Sequence, residues 1–577
     1  MIRDIKNSFS VLSKKNKLHY FVLLVGIIIG AILEIFSIYL IYKLVIFITN
    51  KTFLNNDTSE ILLFEKNILP WNYALDITTF LILIIIFFTV KTFYFFFLYY
   101  GKYFFVNNIA VNLSSLILKK YLQKKNSFYT YNNSSTLIRN VQNEVSQFAL
   151  GILQPMLIFF SEIFMLSGIL VFLIISNPTI VVACFTILFF LSMIYFLSIK
   201  KLLSFYGVER QKFTDKVLNS LIEIFNGLRT IKVFNAENFF FKNFFINAKG
   251  LAKSNIILGA LSHVPKFALE LIVVFFVVIY FIFLNKNNSS NLAFDTLALF
   301  AVASFKLIPS ISRILHSLQV IRFNLPSLNI ILKEKRHKSD DGIKELKFNF
   351  SPYIFKKEIS FKNVNFKHSS KNKIILNNLN LKIKKGEKIG IIGSSGSGKT
   401  TLINLIMGFL NPTTGKILID GKRLEVIKYQ WMKMIAFVPQ KIFLLNDNIF
   451  KNVAFGSDEK KINKKKVLEA LNLADLSNFK LSNHNTLKNK LGEQGSKISG
   501  GQMQRVSIAR SIYKNPLLYI FDEATNSLDY NTEKKILSTI KKIAKNKTII
   551  IISHRVETLN FCDKIYQIKN SKLKKIK

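Results

Sequence analysis

Two cysteines in 577 residues leave no basis for a disulfide framework. Cys184 falls in an apolar run and Cys562 near the far end of the chain, so the two are not expected to pair. The seven histidines are scattered without ligand spacing, which argues against a His/Cys metal cluster. Acidic residues are scarce: 34 Asp and Glu stand against 79 Lys and Arg, a formal net charge of +45. Such an excess invites a nucleic-acid reading. The lysines, however, are dispersed through a chain also rich in Asn, Ile and Phe, as AT-rich codons would give, and form no Arg-rich arm. Attraction to anionic lipid headgroups suits that pattern, and no nucleic-acid partner is expected. No internal repeat or low-complexity block is evident. With 50% hydrophobic residues and a mean hydropathy of +0.30, the chain is too apolar to be soluble throughout and too charged to be membrane throughout.

What is present divides the chain. A bilayer span needs about 20 mainly apolar residues. Six such runs lie before residue 320: Phe21 to Ile48, Ile77 to Tyr100, Phe148 to Ile175, Thr179 to Ile199, Ile256 to Leu284 and Leu292 to Leu315. The first is too long for a signal-peptide core and has no small-residue cleavage site, so it reads as a retained helix. Charge bias sets the orientation. Lys102, Lys119, Lys120, Lys124, Lys125 and Arg139 follow the second run, and Lys200, Lys201, Arg210, Lys212, Arg229 and Lys232 follow the fourth. Between the first two runs, Lys51 and Lys66 face Asp57, Glu60, Glu65 and Asp76. Both termini and both long connections are therefore expected in the cytoplasm. The outer segment Ser59–Ile68 is expected to form a short amphipathic helix. A polar stretch, Lys333–Asp341, marks a composition change, and the organisation expected is a membrane domain over 1–335, a linker over 336–357 and a soluble domain over 358–577.

The soluble part alternates short apolar runs with helical stretches, an α/β pattern. Lys388–Ile392 reads as a buried strand that runs into Gly393, Ser394, Ser395, Gly396, Ser397, Gly398, Lys399, Thr400 and Thr401, followed by a helix. This is the phosphate-cradling loop of a P-loop NTPase in its proper context. Its backbone N–H groups can wrap phosphates, Lys399 can neutralise β/γ oxygens, and Thr400 can offer a hydroxyl to Mg²⁺. A second apolar strand, Leu517–Phe521, ends in Asp522, which can hold Mg²⁺, and Glu523, which can orient or deprotonate water. A third, Thr548–Ile552, delivers His554 towards a γ-phosphate. Ser499, Gly500, Gly501 and Gln502 open a further helix, a second anion site about 100 residues past the loop that already satisfies one nucleotide. One chain thus carries two half-sites.

These motifs, in this order, resemble an ABC transporter of the exporter type: a half transporter with an all-α six-helix transmembrane domain followed by an α/β P-loop NTPase domain. The likeness covers nearly the whole chain. It makes Gly393–Thr401 the Walker A loop, Gln440 in Val438-Pro439-Gln440 the Q-loop glutamine and a Mg²⁺ ligand, and Ile498–Gln502 the signature motif. It further makes Asp522 and Glu523 the end of Walker B, Asp529 the D-loop aspartate and His554 the switch histidine. Glu493 matches the loop that precedes the signature in exporters. Ile498 departs from the usual Leu, and His368 takes the adenine-stacking position, where an imidazole stacks less strongly than a Tyr. The resemblance implies ATP and Mg²⁺ as cofactors and a homodimer, each ATP held between Walker A of one chain and Ser499-Gly500-Gly501 of the other. It places the protein in the inner (plasma) membrane.

Cargo must be read from the membrane part. Ionisable groups within spans are costly and mark cavities or partners. Glu34, Glu162 and Glu270 lie deepest in their apolar runs and are the candidates for a cavity lining. Leu33-Glu34-Ile35, Asn133–Asn140, Pro265–Leu271 and Phe305–Arg322 resemble the branch of lipid-linked oligosaccharide flippases and polysaccharide exporters. That likeness implies an amphiphilic cargo, a lipid-linked saccharide moved from inner to outer leaflet, with a lipid or multidrug exporter or a peptide exporter as alternatives. Lys306, Arg313 and Arg322 either attract a pyrophosphate or snorkel to the cytoplasmic boundary.

Overall fold

The computed structural model describes residues 2–49, 60–62, 74–124, 126–176, 178–286, 290–336, 353–367, 374–477, 489–524, 530–543, 547–555 and 557–577. The chain divides into two compact units, Met1–Lys124 with Phe128–Gly342, and Lys125–Ser127 with Ile343–Lys577.

The first unit is helical. Its elements are α1 (Ile2–Val11), α2 (Lys14–Thr49), β1 (Glu60–Leu62), β2 (Ala74–Asp76), α3 (Ile77–Gln123), α4 (Asn126–Tyr131), α5 (Ser134–Arg139), α6 (Val145–Phe148), α7 (Gln154–Ser176), α8 (Pro178–Asn226), α9 (Leu228–Val233), α10 (Glu237–Lys286) and α11 (Ser290–Arg336). Wide π turns at Asn140–Glu144 and Ala149–Leu153 join α5, α6 and α7 into one rod. Lys14–Ile41, Thr78–Gln123, Ser134–Val171, Leu188–Asn226 and Glu237–Ile272 are long and apolar enough to cross a membrane. The expected sixth run, Leu292–Leu315, is helical backbone within α11, but most of its side chains lie outside the described residues. Phe93, Phe96 and Phe97 on α3 are each about two-thirds exposed, a surface suited to hydrocarbon and not to water. The 49 residues of α8 make a rod of about 70 Å, more than twice the apolar thickness of a bilayer. The long helices therefore extend well past the membrane.

Small residues let these rods approach closely. A Cβ at Gly168 of α7 would fall 2.0 Å from Ile35 Cδ1 of α2, and one at Gly207 of α8 would fall 2.1 Å from the Phe323 carbonyl oxygen of α11. Of the segment expected to be helical, Ser59–Ile68, only Glu60–Leu62 is among the described residues, and it is a strand. It pairs antiparallel with Ala74–Asp76, Glu60 opposite Asp76. A helix of about ten residues is marginal alone, whereas Glu60–Leu62 finds backbone partners in the strand that leads into α3.

The second unit contains two sheets. β3 (Glu358–Lys367), β4 (Ile374–Lys384), β6 (Thr414–Ile419) and β7 (Lys422–Arg423) form an antiparallel sheet ordered β4-β3-β6-β7. β5 (Lys388–Ile392), β8 (Ile435–Val438), β9 (Leu518–Asp522), β10 (Thr548–Ile552), β11 (Lys564–Lys569) and β12 (Lys572–Lys575) form a second sheet ordered β12-β11-β5-β10-β9-β8. All its pairings are parallel except β11 with β12. The helices are α12 (Lys399–Ile406), α13 (Leu424–Lys433), α14 (Ile449–Val453), α15 (Lys464–Leu473), α16 (Gly500–Lys514) and α17 (Tyr530–Ile543).

Strand periodicity decides which helix covers which face. Leu518, Ile520, Ile550 and Ile552 share one core with Leu402, Ile403, Leu405 and Ile406 of α12. The alternate residues Tyr519, Phe521, Ile549 and Ile551 share another with Val506, Ile508 and Ala509 of α16. Successive strand side chains point to opposite faces, so α12 and α16 lie on opposite sides of the same sheet.

Candidate functional site

Parallel strands bring their carboxyl ends to one edge, where open α/β sheets place ligands. In the order β5, β10, β9, β8, four neighbouring strands end in the Gly393–Gly398 loop, in Ser553-His554, in Asp522-Glu523, and in Pro439-Gln440. Residues far apart in sequence are thus delivered to one rim.

The loop has the shape of a phosphate cradle. Gly396 and Gly398 have φ of +75° and +105°, left-handed values that an L side chain resists. At Gly398 a Cβ would also fall 3.0 Å from Ile375 Cγ2. That turn starts α12 at Lys399, within the loop that the sequence reading places ahead of the helix. Lys399 is buried, and its Nζ donates to the Gly393 carbonyl at 2.7 Å and the Ser394 carbonyl at 3.0 Å. A third ammonium proton has no partner among the described residues and is available to a phosphate oxygen. Ser397 Oγ is buried without a hydrogen-bond partner, an orphan polar atom inside the same loop. Ser394, Ser395 and Thr400 are exposed at its mouth.

Glu523 is held by its neighbours. Its φ of +52° is unusual for a residue with a side chain, and its N–H donates to the Ile552 carbonyl of β10 at 3.1 Å. Gln440 Nε2 donates to Glu523 Oε2 at 2.7 Å, and His554 Nε2 lies 2.8 Å from Oε1. The carboxylate is clamped between the ends of β8 and β10. Asp522 is buried beside it; burial, with the Glu523 charge, pushes its carboxyl above the usual range, and Lys399 offsets part of that. A buried carboxylate in that condition is short of positive charge, and a hard divalent cation such as Mg²⁺ fits it, with Thr400 and Gln440 as further oxygen donors.

Ser499 caps α16: its Oγ accepts from Gln502 N at 3.2 Å while Gln502 Oε1 accepts from Ser499 N at 2.9 Å. Ser499 and Gly500 are exposed, and a Cβ built at Gly500 meets nothing within 4 Å. The helix begins at Gly500, where this reciprocal cap satisfies its first turn. His368 and Asp529, the expected adenine-stacking and D-loop residues, lie outside the described residues.

In the membrane unit, Glu34, Glu162 and Glu270 all line one cavity of about 510 Å³. Phe95, Tyr99 and Pro309 contribute apolar wall, and Arg313 a charge. Lys91 Nζ lies 2.5 Å from Glu34 and donates to Ser37 Oγ at 2.7 Å. Arg313 grips Glu162 with two bonds, at 2.6 and 3.2 Å. Glu270 is half exposed, with Lys266 no nearer than 3.9 Å. The sequence marks the three carboxylates by their depth in apolar runs. It does not assign Lys91 and Arg313 to Glu34 and Glu162, since those pairs depend on how four helices are rotated.

Residues 376–526 match the family described as ABC transporter, and residues 20–308, half of the chain, match the ABC transporter transmembrane region. A curated ATP-dependent lipid A-core flippase from Ralstonia nicotianae is 28% identical over 481 residues, covering 81% of this chain and 78% of that protein. The alpha-hemolysin translocation ATP-binding protein HlyB of Escherichia coli O157:H7 is 43% identical over 214 residues, 37% of this chain. The chain spans only 30% of that relative's length. Among solved structures, a bacterial Atm1-family ABC exporter with ATP bound has a TM-score of 0.78 at 19% identity, over 96% of this chain and 94% of that one.

Proposed function

The chain belongs to the ABC transporter family, and from that premise we propose that two copies hydrolyse ATP to export or flip an amphiphilic cargo, a lipid-linked saccharide, from the inner to the outer leaflet. The protein is a multi-pass membrane protein, and we place it in the plasma membrane with both termini and the nucleotide domain in the cytoplasm, the side to which its Lys and Arg excess points. In this reading the Gly393–Gly398 backbone cradles the phosphates and Lys399 holds their charge. Glu523 accepts a proton from the attacking water, with Gln440 and His554 fixing its carboxylate. Thr400, Gln440 and Asp522 would hold Mg²⁺, which would supply charge neutralisation at the phosphate oxygens.

One observation carries the pairing of copies. The phosphate loop and the Ser499–Gly501 helix start are built on opposite faces of one sheet, and Gly500 opens to free space. An anion site facing outwards on one copy can complete the loop of another. Gly500→Glu adds an acid to the first turn of α16, which stabilises the helix but repels a phosphate. Copies with Gly500→Glu alone or Lys399→Ala alone are expected to be inactive. Co-reconstituted, they assemble one intact site, and phosphate release returns to about a quarter of wild type if half of the pairs are mixed and each has one working site. Two silent variants that stay silent when mixed would sink the shared site.

For the cargo, the flippase likeness extends over 481 residues and so reaches into the membrane helices, whereas the hemolysin-translocation likeness covers 214 residues, too short to span both units. The mixed lining of the cavity suits a large polar head on an apolar tail. Lipid-linked saccharides are expected to stimulate the ATPase of reconstituted protein more than hydrophobic drugs do. Glu270→Gln, at the most exposed of the three carboxylates, raises the half-maximal concentration about tenfold, the worth of one charge-assisted hydrogen bond. Equal stimulation by drugs and lipid-linked sugars would reject the saccharide.

A further inference from the structure

A second cavity of the membrane unit, of about 290 Å³, lies among α1, α7, α8 and α11. Its walls include Met156, Phe196, Leu197 and Leu318, and its charges are Lys200, Arg322 and Asp4. Lys200 closes the apolar run of α8, Arg322 lies past that of α11, and α1 precedes the first span, so the three meet at one membrane boundary. Ile5 and Phe9 of α1 pack against a core that includes Val11, Leu12, Tyr20 and Ile321, which fixes the short helix at that level.

The basic side chains of this cavity are short of acceptors. Arg322 Nε is buried without a hydrogen-bond partner, whereas Arg313 on the same helix spends its guanidinium on Glu162. Neither Lys200 nor Arg322 forms an ion pair with a described residue, and the wall carries these two basic side chains against one acidic, Asp4. We infer that this cavity holds the phosphate headgroup of an anionic phospholipid as a resident ligand, distinct from the cargo. The guanidinium fork and the ammonium match phosphodiester oxygens. The surplus of one positive charge suits a monoanionic head. The apolar walls suit the first methylenes of the acyl chains and would be left wet by free phosphate. A volume about ten times that of a water in liquid accommodates such a head and the start of its tails.

The leaflet assigned to this lipid rests on the orientation proposed above; its binding does not, and detergent-solubilised full-length protein separates the two. Native mass spectrometry would titrate phosphatidylglycerol, phosphatidylcholine and inorganic phosphate. Phosphatidylglycerol is expected to bind best, and Lys200→Gln with Arg322→Gln to weaken it by at least tenfold, since a basic residue near a lipid surface contributes about 1 kcal/mol, or about fivefold. Lys200→Arg with Arg322→Lys keeps the charges and retains most binding. Leu318→Trp fills the cavity with the charges intact and also abolishes it. Phosphatidylglycerol binding unchanged in the Gln pair and in Leu318→Trp, equal affinity for phosphatidylcholine, or equally tight binding of inorganic phosphate would each overturn the inference.

Discussion

Replacing Glu523 by Gln is expected to lower steady-state ATP hydrolysis by about 10²–10⁴-fold while leaving ATP bound. The change conserves shape and the φ of +52°, and an amide oxygen can still accept from Gln440 Nε2, now 2.7 Å from a carboxylate oxygen. What disappears is the ability to take a proton. The amide N–H₂ would also face His554 Nε2, which lies 2.8 Å from the other oxygen, so the imidazole must turn its unprotonated nitrogen towards it. Binding rests on other groups, the buried Lys399 and the Gly393–Gly398 backbone, which the variant leaves in place. The measurement pairs phosphate release at saturating ATP with retention of labelled nucleotide after rapid desalting. Slow release with retained ATP separates Glu523 from Lys399, whose Ala variant loses the nucleotide itself. Near-normal release would remove Glu523 from the role of base.

How far the sequence discloses this site depends on the range of each interaction. The phosphate loop is legible because its signal is local: β5 runs straight into glycines and then a helix, and the bounds read for β5 and β10 match the strands observed. Asp522 and Glu523 are legible because carboxylates end an apolar strand. The clamp on Glu523 is not, since Gln440 lies 83 residues away and meets it only through the strand order β5-β10-β9-β8. The opposite placement of α12 and α16 is likewise a property of the folded sheet, although the alternating residues of β9 and β10 encode it. In the membrane unit, depth in an apolar run marks Glu34, Glu162 and Glu270, but period says little where a helix is apolar all round. The pairing of β1 with β2 escapes for the same reason in reverse: a few residues carry too weak a pattern to outweigh a partner strand.

The charged cluster around Glu144 shows the same limit, and Glu144→Ala tests how much it holds. Glu144 is fully buried at the end of the first π turn, with Arg139 Nε at 3.4 Å and Arg210 Nη2 at 3.7 Å. Arg139 has a second carboxylate, Asp215, at 3.3 Å, and Asn140 accepts from its Nη2 at 3.1 Å. Arg210 has less: Ser327 Oγ accepts from its Nη2 at 3.0 Å, and the Phe323 ring lies 5.7 Å away. Removing Glu144 therefore leaves the Arg210 guanidinium in the interior without a counter-ion among the described residues. The expected loss is about 3–5 kcal/mol, several times that of an exposed pair. Restoring an apolar match should undo it, because both desolvated charges then disappear together. Glu144→Leu with Arg210→Met is expected to recover most of the stability, with a coupling of about 2 kcal/mol or more in the double-mutant cycle. Thermal unfolding of the purified protein in one detergent reads both quantities. A single variant costing under about 1 kcal/mol would mean that the π turn and the α8 contact stand on apolar packing alone, with the ion pairs contributing no more than surface charges do.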